Sequence, residues 1–184
     1  MPKNKMLFCL VPIVLFGTIG GFFYAYSVSV MRGLDNLPEI QAIHTMQLLN
    51  QGTRNGVFLF TFMFTPIIAF GCAVALYFLK ERVAGILLLL AAAIYFMGSM
   101  LPTVNVNVPL NQALELLDPT MIDPADAPAI WAEFHATWTF WNSVRAAMAL
   151  VSLALSGLAM YALATLAEPE SWKQGRSFAA KRRV

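Results

Sequence analysis

Residues 134–145 read Phe-His-Ala-Thr-Trp-Thr-Phe-Trp-Asn-Ser-Val-Arg and run directly into an apolar segment over residues 146–166. Four residues with hydrogen-bonding or aromatic side chains recur here at the spacing i, i+3, i+4 and i+7, which is the spacing of one helix face. They are Trp138, Trp141, Asn142 and Arg145. The pattern predicts a long helix that carries an aromatic and cationic stripe at one end of an apolar span.

Arg145 decides how this stripe is interpreted. Hydrocarbon does not solvate a guanidinium, so an arginine at the end of a membrane span must face protein, water or lipid headgroups. One interpretation places the stripe in the wall of a small-molecule pocket. The other places the tryptophans in an interfacial belt and the arginine among headgroups. We take the pocket as the hypothesis and keep the belt as its alternative.

The composition is that of a membrane protein. Of 184 residues, 59% are hydrophobic and 12% are charged, whereas soluble domains carry about 25% charged residues. Cys9 and Cys72 form no Cys-x-x-Cys pair, which indicates packing residues rather than redox centres. The chain has no glycine-rich phosphate loop and no nucleic-acid-binding motif, so nucleic acid is not an expected partner.

Four apolar segments are long enough to cross a bilayer. They predict an all-α membrane protein, a four-transmembrane-helix bundle over residues 1–167, followed by a basic cytoplasmic tail at 168–184. The spans are expected at residues 6–31, 57–79, 83–101 and 138–166. The first segment exceeds the core of a signal peptide, so we predict a retained helix. Pro66 is expected to bend the second span or to free a carbonyl.

Two long loops with short helices connect the spans on one side of the membrane. In the first loop, residues 32–56, an amphipathic helix is predicted over residues 39–51. In the second loop, residues 102–137, polar and apolar residues alternate over 105–111. That alternation favours an extended or irregular stretch.

Basic residues predict the orientation of the chain. The two long loops hold only Arg32 and Arg54. Nine of the twelve Lys and Arg lie instead at the termini and in the turn after the second span: Lys3, Lys5, Lys80, Arg82, Lys173, Arg176, Lys181, Arg182 and Arg183. The positive-inside rule therefore predicts cytoplasmic N and C termini and outward-facing long loops. We expect a multi-pass protein of the inner (plasma) membrane, in contact with membrane lipid.

Several short motifs occur in a fixed order. They are Gly20-Gly21-Phe22-Phe23, Tyr26-Ser27-x-Ser29-Val30-Met31-x-Gly33-Leu34, Met46-Gln47-x-x-Asn50, Asn107-Val108-Pro109-Leu110-Asn111 and Trp138-x-x-Trp141-Asn142-x-x-Arg145. In this order they resemble the anthrone oxygenase-like family of small four-span membrane proteins, some fungal members of which oxidise anthrones to anthraquinones. The resemblance implies a four-helix bundle and an oxygenase that acts on an aromatic, quinol-like substrate.

An aromatic substrate calls for a flat apolar wall with a few hydrogen-bonding groups. The residues predicted to bind it are Trp138, Trp141, Asn111, Asn50 and Tyr26.

Oxidation of an anthrone requires loss of a C–H proton and reaction of the carbanion with oxygen. Arg145, with the amide of Asn142, is predicted to hydrogen-bond the developing enolate oxygen. His135, one turn outward on the stripe, is predicted as the base ahead of His44, because a histidine titrates in the useful range.

Other functions stay open. A metal site on His44 and His135, with Glu39 or Glu133, lacks any recognised ligand spacing, so neither metal nor cofactor is predicted. The second hypothesis is a non-catalytic membrane subunit that docks a partner protein through its outer loops, with the glycines of the first span and the Trp face against another chain. A third is a lipid or quinone carrier without turnover. Both a homo-oligomer and a hetero-complex are compatible with the sequence.

Overall fold

A computed structural model describes residues 4–166, and these residues form helices and short connections. The predicted basic tail at 168–184 lies outside them. The α-helices are α1 Asn4–Ala25, α2 Met31–Leu34, α3 Glu39–Thr53, α4 Gly56–Phe78, α5 Arg82–Tyr95, α6 Val108–Glu115 and α7 Ala127–Leu166.

Four continuous helical stretches are long and apolar enough to cross a membrane: Lys5–Leu34, Gly56–Phe78, Arg82–Glu115 and Ala127–Thr165. The prediction of an all-α, four-span bundle is therefore confirmed. The side of the membrane on which the termini lie stays a prediction.

The spans pack by close approach of small residues. α7 lies along α1 and α5, and α5 also packs against α4. A Cβ atom added to Gly17 or Gly20 of α1 would meet Leu153 or Leu150 of α7 at 3.7 or 3.2 Å. Gly17 and Gly20 of the first span therefore contact the last span of the same chain.

Pro66 frees a carbonyl inside α4, as the sequence predicts. A proline has no N–H to offer the carbonyl four residues earlier, which is that of Phe62. The Tyr95 hydroxyl, buried on α5, donates a hydrogen bond to this carbonyl at 3.2 Å. The membrane gives such a group no water, so a partner from a neighbouring helix is needed.

Three five-residue π-helical turns, Tyr26–Val30, Phe96–Met100 and Thr103–Asn107, lie at one end of the bundle. The prediction of an extended stretch over 105–111 is wrong. The third span continues beyond its expected end, and Val108 N–H donates to the Thr103 carbonyl to close the last π turn. A helical backbone satisfies its own polar groups, which outweighs a period-two side-chain pattern near the membrane.

The same end of the bundle carries a helical cap built from α2, α3, α6 and the first turns of α7. The predicted helix over 39–51 is confirmed and reaches Thr53. The Gln47 side chain ties α3 to α6 by donating to the Leu114 and Leu117 carbonyls at 2.8 and 2.9 Å. α7 has 40 residues, about 60 Å at 1.5 Å per residue. It therefore extends beyond a hydrocarbon core of about 30 Å and supplies one wall of the cap.

Candidate functional site

A cavity of about 450 Å³ lies between the cap and the membrane-spanning helices. Its walls come from the end of α1 and the π turn that follows it, the end of α3, the start of α4, the two π turns around Met100 and Thr103, α6 and α7. Six of the eight predicted site residues line it: Arg145, Asn142, Trp138, Asn111, Asn50 and Tyr26. The rings of Phe22, Phe23, Phe58 and Phe62 complete the apolar part of the wall.

Arg145 lies in the wall of this cavity with only 4% of its surface exposed. Its Nη1 donates to the Thr103 hydroxyl at 3.0 Å, and its Nη2 donates to Oδ1 of Asn142 at 2.8 Å. The guanidinium carbon stands 4.3 Å from the centre of the Phe23 ring and 5.4 Å from that of Trp138. Cation–π contact with the two rings offsets part of the cost of desolvating the guanidinium.

All groups that Arg145 contacts are uncharged. Within residues 4–166, neither the ion pairs Lys5–Glu81 and Arg54–Glu115 nor the contact between His135 and Asp35 includes it. Arg54 lines the rim of the cavity, where its pairing with Glu115 joins the end of α3 to the end of α6. The interior of the cavity therefore carries a positive charge for which residues 4–166 supply no counter-ion.

Asn142 holds the guanidinium in position. Its Nδ2 donates to the Phe23 carbonyl at 2.8 Å and to the Ser27 hydroxyl at 2.7 Å, which leaves Oδ1 facing Arg145. Phe23 lies near the end of α1, just before the π turn Tyr26–Val30. The amide is thus fully engaged, so Asn142 orients Arg145 rather than offering a free donor to a ligand.

Trp138 is held flat against the cavity by its neighbours on two helices. Its indole N–H donates to Oδ1 of Asn111 at 2.8 Å, and its carbonyl accepts from Nδ2 of Asn107 at 3.1 Å. The Tyr26 ring packs on it with centres 5.8 Å apart. These contacts fix an aromatic face beside the guanidinium.

Three buried polar atoms of cavity-lining residues have no hydrogen-bond partner in the described chain. They are Nδ2 of Asn50, Oδ1 of Asn107 and Nε of Arg145. Buried polar atoms in folded proteins are nearly always paired, with protein, water or a ligand. The apolar cavity therefore offers a ligand two unpaired hydrogen-bond donors and one unpaired acceptor.

The structure does not bring Trp141 or His135 into the cavity. On a helix of 3.6 residues per turn, each lies about 60° away from Trp138, on opposite sides of the stripe. Trp141 packs edge-to-face on Phe140, with ring centres 5.5 Å apart. Nε2 of His135 lies 3.2 Å from Oδ2 of Asp35, and this contact joins α7 to the end of α2 within the cap.

No Asp, Glu, His or Lys occurs among the residues that line the cavity within the described chain. His44 is exposed on α3. The described residues also contain no group of three or more His, Cys, Asp or Glu that could hold a metal ion. The two histidines proposed as bases thus lie apart from Arg145.

Sequence reasoning missed Thr103 and Asn107 as site residues. Both lie in the π turn Thr103–Asn107, which overlaps the stretch 105–111 that was predicted to be extended. Asn107 and Asn111 are four residues apart, so a helical interpretation of this stretch would have placed both on one face. π turns are frequent at functional sites, but the sequence gives no direct signal for them.

A second, wholly apolar hollow of about 490 Å³ lies between α4 and α5. It shares Met63 and Met100 with the first cavity. Both methionines belong to membrane spans, and Met63 is 51% exposed on the outer surface of the bundle.

A family model described as anthrone oxygenase matches residues 57–155, which is more than half of the chain. The chain matches no curated protein and no solved structure. The matched region includes α4, α5, α6 and the stripe of α7 with Trp138, Asn142 and Arg145. The chain belongs to the anthrone oxygenase family.

Proposed function

We propose that this protein binds a hydrophobic aromatic molecule, anthrone- or quinol-like, in the cavity beneath the cap and oxidises it with dioxygen without a bound cofactor. The observation that carries the proposal is the guanidinium of Arg145, held beside the Trp138 ring in an aromatic chamber. Family membership supports the reaction class.

The chamber suits a flat, apolar ligand. Its volume of about 450 Å³ falls within the 300–1,000 Å³ usual for small-molecule sites. Aromatic rings on α1, α4 and α7 supply faces and edges for stacking. The adjoining apolar hollow at Met63 and Met100 offers a hydrophobic molecule a route from the bilayer.

The polar groups suit a ligand with oxygen at one edge. Conversion of an anthrone to an anthraquinone turns a CH₂ group into C=O. One oxygen atom of O₂ becomes the new carbonyl, and the other leaves as water with both hydrogens. The carbanion formed first delocalises its charge onto the opposite oxygen, where Arg145 and Nδ2 of Asn50 would stabilise it.

Oxygen uptake by the purified protein tests this proposal. We expect an anthrone to be consumed with O₂ in equal amounts, faster than in detergent alone, and to yield the anthraquinone. Arg145→Gln should slow turnover by about 10²-fold or more, the usual cost of losing an oxyanion donor. Arg82→Gln, at the exposed first residue of α5, serves as the matched control. A rate of anthrone oxidation equal to that in detergent alone would contradict the proposed oxygenase function.

We also propose that the termini are cytoplasmic and that the cap faces outward, on the positive-inside argument.

A further inference from the structure

The cavity holds a positive charge that the described protein does not neutralise. Arg145 is 4% exposed, and its neighbours are a hydroxyl, an amide and two aromatic rings. Its Nε–H has no acceptor. Burial of an isolated charge is far more costly than burial of a hydrogen-bonded pair. A ligand that brings a negative charge would remove that cost.

The other charged or titratable groups around Arg145 do not supply this charge. On the rim, Arg54 and Glu115 neutralise each other. Tyr26 lines the cavity wall and Tyr95 lies behind it. A tyrosine with a protonated hydroxyl brings no negative charge to Arg145. The described lining also offers no carboxylate, imidazole or amine that would accept a proton from a ligand.

We propose that the cavity binds its aromatic ligand as the conjugate base, a phenolate or enolate, with Arg145 as the counter-ion. The inference rests on the proposed function and narrows its substrates to aromatic molecules with an acidic hydroxyl or acidic C–H group. On binding, the O–H or C–H bond breaks, the electron pair stays on the ligand, and the proton goes to bulk water. No electron is gained or lost in this step.

Two further polar atoms of the cavity would hydrogen-bond the same ligand: Nδ2 of Asn50 and Oδ1 of Asn107. The Asn50 donor adds a second hydrogen bond for the ligand's anionic oxygen. The Asn107 acceptor suits a hydroxyl elsewhere on the ring system. A neutral quinone, which has acceptors but no donor, would leave Asn107 unpaired.

The spectrum of bound alizarin, a dihydroxyanthraquinone whose neutral and anionic forms differ in colour, tests the proposal. The full-length protein in detergent is titrated with the dye at a pH where the free dye is neutral. We expect the bound dye to show the anion's spectrum. Its apparent pKa should lie about one to three pH units below that in detergent alone.

Each other outcome of this titration counts against the proposal. A bound dye that keeps the neutral spectrum would overturn the conjugate-base inference while leaving aromatic binding intact. Failure to bind both alizarin and unsubstituted anthraquinone would overturn the proposed function and this inference with it. An anionic phospholipid that displaces the dye as well as a second hydroxyanthraquinone does would overturn the aromatic assignment.

Variants link the spectrum to Arg145. Arg145→Gln should abolish the colour shift and weaken binding of the anion at least tenfold, roughly, whereas Arg82→Gln should keep both. Thr103→Asp adds a carboxylate beside Nη1 of Arg145 without removing the arginine. The Thr103→Asp variant should lose the colour shift of the bound dye. Thr103→Asn, whose side chain has the shape of Asp without its charge, should lose less of that shift. Equal shifts in both Thr103 variants would contradict the counter-ion role.

Discussion

The Tyr95 hydroxyl donates to the carbonyl of Phe62, which Pro66 deprives of its helical partner. The pair joins α5 to α4 directly below the aromatic chamber. Its neighbour Ser99, also buried, donates to the Arg145 carbonyl at 2.8 Å and joins the same span to α7. Side-chain bonds to backbone carbonyls thus hold three spans in register beneath the site.

Tyr95→Phe should lower the free energy of unfolding by about 1 kcal/mol, because it leaves the Phe62 carbonyl unpaired in an apolar place. In a Pro66→Ala background the cost should shrink, since the helix then supplies an N–H to that carbonyl. Thermal unfolding of the four proteins in detergent measures this double-mutant cycle. A loss of the same size in both backgrounds would contradict the account.

Gly85→Ala should destabilise the bundle by about 1–3 kcal/mol, the usual cost of overpacking. Its added Cβ would lie 3.0 Å from the Ala73 carbonyl oxygen and 3.1 Å from the Tyr77 nitrogen, which are backbone atoms that cannot turn aside. Gly21→Ala is the control, because nothing lies within 4 Å of its added Cβ. Unfolding in a graded denaturant compares them, and equal stability of the two variants would refute the close approach of α4 and α5.

Trp138→Phe should weaken binding of an aromatic ligand by about 1 kcal/mol, roughly fivefold, because the smaller ring stacks less and loses its bond to Asn111. Trp141→Phe should change affinity much less, since that indole packs on Phe140 outside the lining. Fluorescence titration with a hydroxyanthraquinone distinguishes the two. The opposite ranking would show that the cavity identified here is not the binding site.

Fusion reporters test the orientation. The positive-inside rule predicts that a fluorescent protein fused after Val184 fluoresces in the cytoplasm. Alkaline phosphatase inserted beside Pro124, in the exposed connection before α7, should be active outside. Activity of the phosphatase at the C-terminus instead would reverse the topology.

The four spans could be predicted from the sequence because apolar runs of this length are typical of transmembrane helices. The grouping of Trp138, Asn142 and Arg145 follows from the helix period alone, since four- and seven-residue steps return to almost the same face. Trp141 and His135 sit at the margins of that face. Which margin turns inward depends on neighbouring helices, and a single helix pattern does not contain that information.

The contribution of the third span could not be predicted in the same way. Alternating Asn and Val residues favour an extended chain by their period, yet the backbone remains helical through π turns that bring Thr103 and Asn107 to the cavity. Tertiary surroundings and the need to satisfy backbone groups decide such a segment. Likewise, only the packed helices reveal that no carboxylate of the described residues lies beside Arg145.

A density map of the full-length protein determined with alizarin present tests the central claim most directly. We expect a flat ligand stacked beside Trp138 with an oxygen atom within hydrogen-bonding distance of the Arg145 guanidinium. Ligand density on the lipid-facing surface, with the chamber beside Arg145 filled by protein side chains or by an acyl chain, would contradict it.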